Sequence, residues 1–449
     1  MLRADMNETL SRVGRGTPMG ELFRRFWLPA VLTSEVAEPD CPPVRLRILG
    51  EDLVAFRDSS GKVGIVAAYC SHRLAPLFFG RNEEGGLRCV YHGWKFDTGG
   101  RCMETPNVPP GAPDIRRNVG ITAYPVHESA GVVWIYMGPK ETQPPFPALE
   151  YANVPAEHAF AARWLQRTNW SQGMEGEIDS SHISWLHRDF DKNTTKQKST
   201  GAQMSSDAAP HIELRQTEYG LVYGARREHE GQYLWRVTQF ILPMFSLIPR
   251  APGGFVSGGG RAWVPVDDNH TTVFTFGYRV DQPIGQEELD SYYNSGALFP
   301  PRMERGRYVL PGGYAIDTWL PLASKENDYL LDREVQRTVN FTGIWGVHDQ
   351  DRALAENSRS IGSADPGIID RSAEHLVSSD RAVVAARRIL INLTDALKKG
   401  VEPAVVADPD AFGVRAISKL TPIASFDEFM AVYGEETRAT GVCRPVPVE

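Results

Sequence analysis

Basic residues are nowhere in excess in this chain of 449 residues: 48 Lys and Arg stand against 56 Asp and Glu, a formal charge of −8. A nucleic-acid-binding surface needs the opposite balance, so that class is set aside. Long apolar runs are missing as well. The longest, around Val132–Met137, is strand-sized and far short of the ~18 residues of a membrane span. The N-terminal stretch MLRADMNETLSRVG interleaves charges without an apolar core, so no secretory leader is expected. Cysteine is scarce, and Cys41, Cys70, Cys89, Cys102 and Cys443 are too scattered for a disulfide framework. A dinucleotide fingerprint is also absent: Gly253–Gly260 lacks the strand–turn–helix context and reads as a loop. A soluble, cytoplasmic protein with room for at least two cores is expected.

What is present falls into two halves. Val44, Leu46 and Ile48 alternate with arginines, Leu53–Phe56 and Val63–Val66 follow after turns, and another strand pair flanks Asp97-Thr98-Gly99-Gly100. Gly131–Tyr136 reads as a last, buried strand. Four prolines in Gly138–Pro147 cannot sustain a helix or central strand, which places the domain boundary there and gives 1–148 and 149–449. Beyond it, residues 168–188 carry a helix-like stripe. Strand signals follow at His211–Leu214, Gly220–Ala225, Tyr233–Ile248 and Thr271–Val280. Residues 281–340 are weakly patterned and read as irregular loops or a lid. Ser379 can cap a long helix running to Lys399, and Phe426, Phe429 and Tyr433 form a stripe that would pack on the domain or a neighbour.

The chemistry-bearing residues of the first half are Cys70-Ser71-His72 and Cys89-Val90-Tyr91-His92, separated by sixteen residues. Each offers one thiolate and one imidazole. Zinc sites usually pair Cys with Cys and His with His. Mixed pairs suit a dinuclear cluster in which one iron takes both cysteines and the other both histidines, as in Rieske [2Fe–2S] centres. Buried core cysteines and hydrogen-bonded histidines would not need two matched motifs. At these residues the sequence resembles the Rieske oxygenase α-subunits, matching both cluster-binding loops through Arg73 and Gly93-Trp94. The usual Pro and Gly of the first loop are Ser71 and Leu74 here; neither position supplies a ligand.

In the second half, Asp179 and His182 are three residues apart and share a helix face, with Glu175 one turn earlier. His182 and His187 are five apart, about 140° around an ideal helix, so two ligands for one metal require a break or bend between them. Two histidines and a distant carboxylate make the facial triad of non-haem Fe(II) enzymes. Spacing leaves Asp349, Asp351 and Glu356 open as the carboxylate; the resemblance selects Asp351. It also implies that Asp179 bridges a Rieske histidine to an iron-ligating one.

The opening Val13–Gly20, Trp27-Leu28-Pro29-Ala30 and Glu175–His182 look most like the phthalate-dioxygenase-like branch. The resemblance implies an α+β fold, with a small antiparallel Rieske domain and a larger helix-grip domain. It also implies a homotrimer, or stacked trimers, in which one subunit's cluster faces its neighbour's iron. O2 would be the co-substrate, and electrons would come from NADH through a separate flavin and iron–sulfur reductase. The substrate would be a small aromatic, an aryl carboxylate by preference, anchored by Arg226, Arg227, Arg236 or Arg250. Phe240, Phe245 and Trp345 read as core aromatics. Ring dioxygenation is favoured slightly over monooxygenation or O-demethylation. From other classes, an electron carrier leaves His182, His187 and Asp351 unexplained, and a zinc-stabilised binding module leaves the mixed pairs unexplained.

Overall fold

The structure, a computed structural model, describes residues 2–190, 207–249 and 258–439. The alternation at Val44–Ile48 forms a strand that buries its apolar residues and half-exposes its arginines. It pairs antiparallel with Glu51–Arg57, then Val63–Ala67 and Ala123–Tyr124. A second four-stranded sheet runs Arg81–Glu83, Gly86–Arg88, Lys95–Phe96, Cys102–Glu104. Between them Val54, Phe56, Val66, Leu77, Leu87 and Phe96 form a small core that closes around Cys70 and Cys89. Strand Val132–Tyr136, wholly buried, joins a third sheet and packs into the larger core instead.

That larger core belongs to an eight-stranded antiparallel sheet. Its order is Ala159–Gln166, Thr271–Tyr278, Gly258–Pro265, Phe245–Leu247, Gln232–Ile241, Gly220–His229, His211–Thr217, with Ile417–Thr421 added beside Gln232–Ile241. Because side chains alternate across a strand, Leu221, Tyr223 and Ala225 share one face with Phe240, and they join the core with the helices Trp170–Glu177 and Arg381–Lys398. Val222, Trp235 and Val237 look the other way and are covered by Phe426 and Phe429 of the helix Phe426–Tyr433. The fold is therefore α+β, a small antiparallel domain beside a sheet gripping helices. Arg45, paired with Asp317 at 2.7 Å, and the Tyr314 hydroxyl on the Leu53 carbonyl fasten the two together.

Several sequence expectations change. Tyr233–Ile248 divides into two strands around Leu242–Met244, where Pro243 has no N–H to give a ladder. Gly258–Gly260 is strand, not loop: a Cβ on Gly258 would sit 2.2 Å from the Tyr278 ring and one on Gly260 2.4 Å from Leu247. Residues 253–257 lie outside the described residues. The weakly patterned stretch holds the helix Gln286–Ser295, the hairpin Met303–Val309/Ala315–Pro321 and the helix Arg333–Thr338. The first strand of that hairpin has no fully buried residue, so it shows no apolar alternation. The long helix begins at Arg381, with Ser379 in the 3₁₀ turn before it. Trp345 is 56% exposed, whereas Phe240 and Phe245 are core. Among the described residues no helix is long and apolar enough to cross a membrane.

Candidate functional site

Two loops of the small domain are near copies. The Leu74 N–H donates to the Cys70 carbonyl and the Gly93 N–H to that of Cys89, both at 2.9 Å. Each loop closes on a left-handed residue, Leu74 at φ 58° and Gly93 at φ 77°. Both thiols are buried, and the rings of His72 and His92 lie 4.6 Å apart, half-buried at the tip. His72 stacks on Trp94 at 4.6 Å, and Trp94 is fixed in turn by its Nε1–H on Asn107. Burial pushes the Cys70 thiol up to about 11, and neighbouring Cys89 adds to the effect while backbone N–H groups of His72 and Arg73 oppose it. The His72 Nδ1 atom is buried with no partner. Two buried thiols side by side, and an imidazole nitrogen left without a partner, are a donor set that fits a [2Fe–2S] cluster.

In the large domain the helix Trp170–Glu177 ends, Ile178–His182 forms a turn, and the short helix Ile183–Leu186 follows. This break answers the five-residue spacing. His182 and His187 come together with ring centroids 5.0 Å apart and planes at 82°. Their Nε2 atoms lie 3.7 and 3.1 Å from the Asp351 Oδ1 atom, which the helix Val347–Ala355 delivers. Ligand atoms of all three fall within 4.8 Å of one another, the only such His/Cys/Asp/Glu group among the described residues. Of the carboxylates spacing left open, Asp349 is taken up by Arg352 at 2.7 Å and Glu356 by Arg352 and the Tyr329 hydroxyl. Burial opposes ionisation of Asp351, yet His187 and His182 hold its carboxyl below the usual range.

The outward nitrogens are held as well. Asp179 Oδ2 lies 3.3 Å from His182 Nδ1, and its Oδ1 accepts from both the backbone N–H and the hydroxyl of Ser181 at 2.7 Å. Against the cost of burial, His182 and Ser181 hold the Asp179 carboxyl down at about 2. Burial lowers and Asp179 and Asp351 raise His182, with a net upward shift. Gln350 Oε1 lies 2.7 Å from His187 Nδ1. With both Nδ1 atoms engaged, both Nε2 atoms face Asp351, the arrangement a divalent metal requires. Spacing in the sequence gives Gln350 no signal beyond its place directly before Asp351. Glu175, one turn before Asp179, instead binds the buried Arg371 and Arg387 at 3.1 and 2.8 Å and ties the site helix to the core.

The four arginines separate. Arg226 lies over the Tyr233 ring on the outer face, with a donor on the Ala424 carbonyl. Arg227 is buried on the inner face and bonded to Ser180. Arg236 is on that face too, 8% exposed, with no hydrogen-bond or carboxylate partner among the described residues. Burial, with Arg227 adding to it, lowers Arg236 to about 10. Arg250 lies outside the described residues.

Comparison with known proteins matches residues 26–125 to the Rieske [2Fe-2S] domain and residues 135–421 to the family described as LigXa C-terminal domain like. The chain is 38% identical to the 3-chlorobenzoate-3,4-dioxygenase oxygenase subunit of Comamonas testosteroni, over 93% of this chain and 94% of that one. It is 37% identical to the phthalate 4,5-dioxygenase oxygenase subunit of Pseudomonas putida, over 89% and 88%. The 5,5'-dehydrodivanillate O-demethylase oxygenase subunit of Sphingobium is 29% identical over 98% and 91%. Among solved structures, dicamba monooxygenase bound to dicamba superposes with a TM-score of 0.54 at 17% identity, covering 84% of this chain and 98% of that one, a likeness of fold.

Proposed function

The chain belongs to the Rieske non-haem iron oxygenases, and on that premise we propose that it is a terminal oxygenase that dihydroxylates an aromatic carboxylate. Family membership brings a Rieske cluster, a non-haem iron, O2 and a reductase partner, with a small aromatic as substrate. The observation that carries the reading is the convergence of His182, His187 and Asp351, with Asp179 on His182, in a chain that also bears the matched Cys70/His72 and Cys89/His92 loops.

In this reading Cys70, His72, Cys89 and His92 hold the cluster, and His182, His187 and Asp351 hold the iron. When bound, the cluster supplies single electrons and the iron an open site for O2. The chain's own residues do the rest. Gln350 and Asp179 occupy the Nδ1 atoms, so each imidazole presents Nε2 to the metal. Arg236, a buried cation with no carboxylate partner among the described residues, offers its guanidinium to the substrate carboxylate and orients the ring. Two relatives carry 3-chlorobenzoate and phthalate in their names, which favours this class and dioxygenation. The demethylase relative keeps O-demethylation of an aryl ether as the second reading.

The hydrogen bonds and ion pair of Asp179 go to Ser181 and His182, and none reaches the Cys/His loops of its own chain among the described residues. Its role as the junction therefore calls on a neighbouring subunit, in a trimer or stacked trimers. Exposed Leu74, Val90 and Tyr91 surround the tip histidines, and exposed Trp185, Phe190 and Phe341 lie close to His182 in sequence or in contact with one another, apolar patches suited to cover each other. The division at 148/149, a cytoplasmic location, and NADH reaching the site through a flavin and iron–sulfur reductase complete the reading.

The test is iron and acid-labile sulfide per chain on anaerobically purified protein, with EPR after reduction, then O2 uptake with aryl carboxylates and a reductase. About three irons and about two sulfides, with carboxylate-dependent uptake, are expected. Two irons that added Fe(II) cannot raise would leave an electron carrier; zinc without sulfide would end the reading.

A further inference from the structure

Arg227 is fully buried on the inner face of the strand Gly220–His229, yet no carboxylate pairs with it among the described residues. Its donors go elsewhere. Nη2 donates to the Ser180 carbonyl at 2.5 Å, Nη1 to the Ser180 hydroxyl at 3.1 Å, and Nε to the Asp207 carbonyl at 3.2 Å. Ser180 is the middle of the turn between the two site helices, directly after Asp179 and two residues before His182. A turn of this kind has few ladder hydrogen bonds of its own. A guanidinium reaching from the sheet to both the main chain and the side chain of one residue fixes it in direction and distance.

From this we infer that Arg227 is a positioning residue: it sets the place and orientation of Asp179 by clamping Ser180, and is not a substrate anchor. The inference rests on the reading of Asp179 as the junction between the two metal centres. With the clamp gone, the Ser180 carbonyl loses its buried donor, the turn loosens, and Asp179 no longer meets its partners in one geometry. A displacement of about 1 Å at such a junction is enough for a loss of up to ~10²-fold.

The experiment compares Arg227→Met, Arg227→Lys and Asp179→Asn with the parent, all loaded with both metals. The first readout is amide hydrogen exchange. In Arg227→Met, peptides spanning Ile178–Trp185 exchange at least about tenfold faster while the rest of the chain is unchanged, and Arg227→Lys lies between. The second is stopped-flow reoxidation of the reduced cluster by O2, taking only the part lost on removing the mononuclear iron. It falls at least about tenfold in Arg227→Met, with phthalate and 3-chlorobenzoate affinities at the parent value. Faster exchange throughout the chain, or unaltered exchange at Ile178–Trp185, overturns the inference, as does a selective loss of carboxylate affinity, which would restore the anchor role. If Arg227→Met fails to fold, Arg227→Lys carries the same decision. Parent-like reoxidation in Asp179→Asn would instead remove the junction reading beneath it.

Discussion

Gln350 Oε1 lies 2.7 Å from His187 Nδ1 while the Gln350 amide nitrogen donates to the Ile344 carbonyl at 2.9 Å. The second bond fixes which way the amide faces, so the oxygen meets the imidazole and His187 carries its proton on Nδ1. Nε2, 3.1 Å from Asp351, is then the nitrogen turned toward the metal site. Gln350→Leu removes the acceptor and frees the tautomer. Partners of this kind are typically worth ~10–100-fold in metal affinity. Fe(II) affinity of the iron-depleted protein is expected to fall by about that factor, while the cluster's sulfide content stays at the parent value; titration with Fe(II) measures it.

Leu74 closes the first Cys/His loop at φ 58°, where Gly93 closes the second at 77°. An L-residue in that region costs roughly 1–2 kcal/mol, and glycine almost none. The Leu74 side chain is 72% exposed in the single chain and has little packing to lose. Leu74→Gly should raise thermal stability by about 1 kcal/mol and slow loss of the cluster. The reverse change, Gly93→Ala, should do harm, because its Cβ would lie 2.6 Å from the Pro106 Cγ atom. A lower melting midpoint in Leu74→Gly would mean that its contacts, with a neighbour for instance, outweigh the strain.

The triad itself was half legible from sequence. His182 and His187 stood out by residue type, and their spacing called for the break that the turn Ile178–His182 supplies. The carboxylate was not legible from spacing: what separates Asp351 from Asp349 and Glu356 is Arg352, whose side chain engages the other two. Nor could the pattern show that Arg226 and Arg227 face opposite sides of one strand with opposite fates, since both sit in the same charged run. The strand Gly258–Pro265 was hidden for another reason. Tyr278 comes too close to Gly258 and Leu247 too close to Gly260 for a side chain, contacts across the sheet that no local pattern carries.

Without metal, the charge pair Asp179–His182 becomes a source of pH-dependent stability. The folded pKa of His182 is raised, so its contribution is complete below its unfolded value of ~6.5 and is lost as pH rises through the folded one. Asp179 is held at about 2, so its share is present above the unfolded value of ~3.9 and vanishes only as pH falls toward 2. Burial lowers His348 and His127, whose shares rise with pH over the same window, so the pair is read by difference: in chelator-treated protein the urea midpoint lost in Asp179→Asn should be larger near pH ~6 than near pH ~8.5. Fe(II) binding should run the other way, strengthening across the same range, because the metal displaces the proton on His182. A loss in Asp179→Asn that stays constant or grows with pH in this window would contradict the assignment.

Arg236 makes the sharpest division between a structural and a binding role. It is 8% exposed, burial and then the like charge of Arg227 lower its pKa to about 10 against a weaker pull from Glu177, and no carboxylate pairs with it among the described residues. Removing such a group should not weaken the fold. Arg236→Met, which keeps the aliphatic stem and drops the charge, should melt at or above the parent temperature. Binding should move in the opposite direction. A charge-assisted bond to a carboxylate is worth ~1.5–3 kcal/mol, so affinity for an accepted aryl carboxylate should fall about 10–100-fold, and less for an uncharged aryl analogue. Tryptophan-fluorescence titration and calorimetric melting read the two sides separately. A destabilised Arg236→Met with undiminished carboxylate affinity would make Arg236 part of the scaffold, and the carboxylate preference would lose its support.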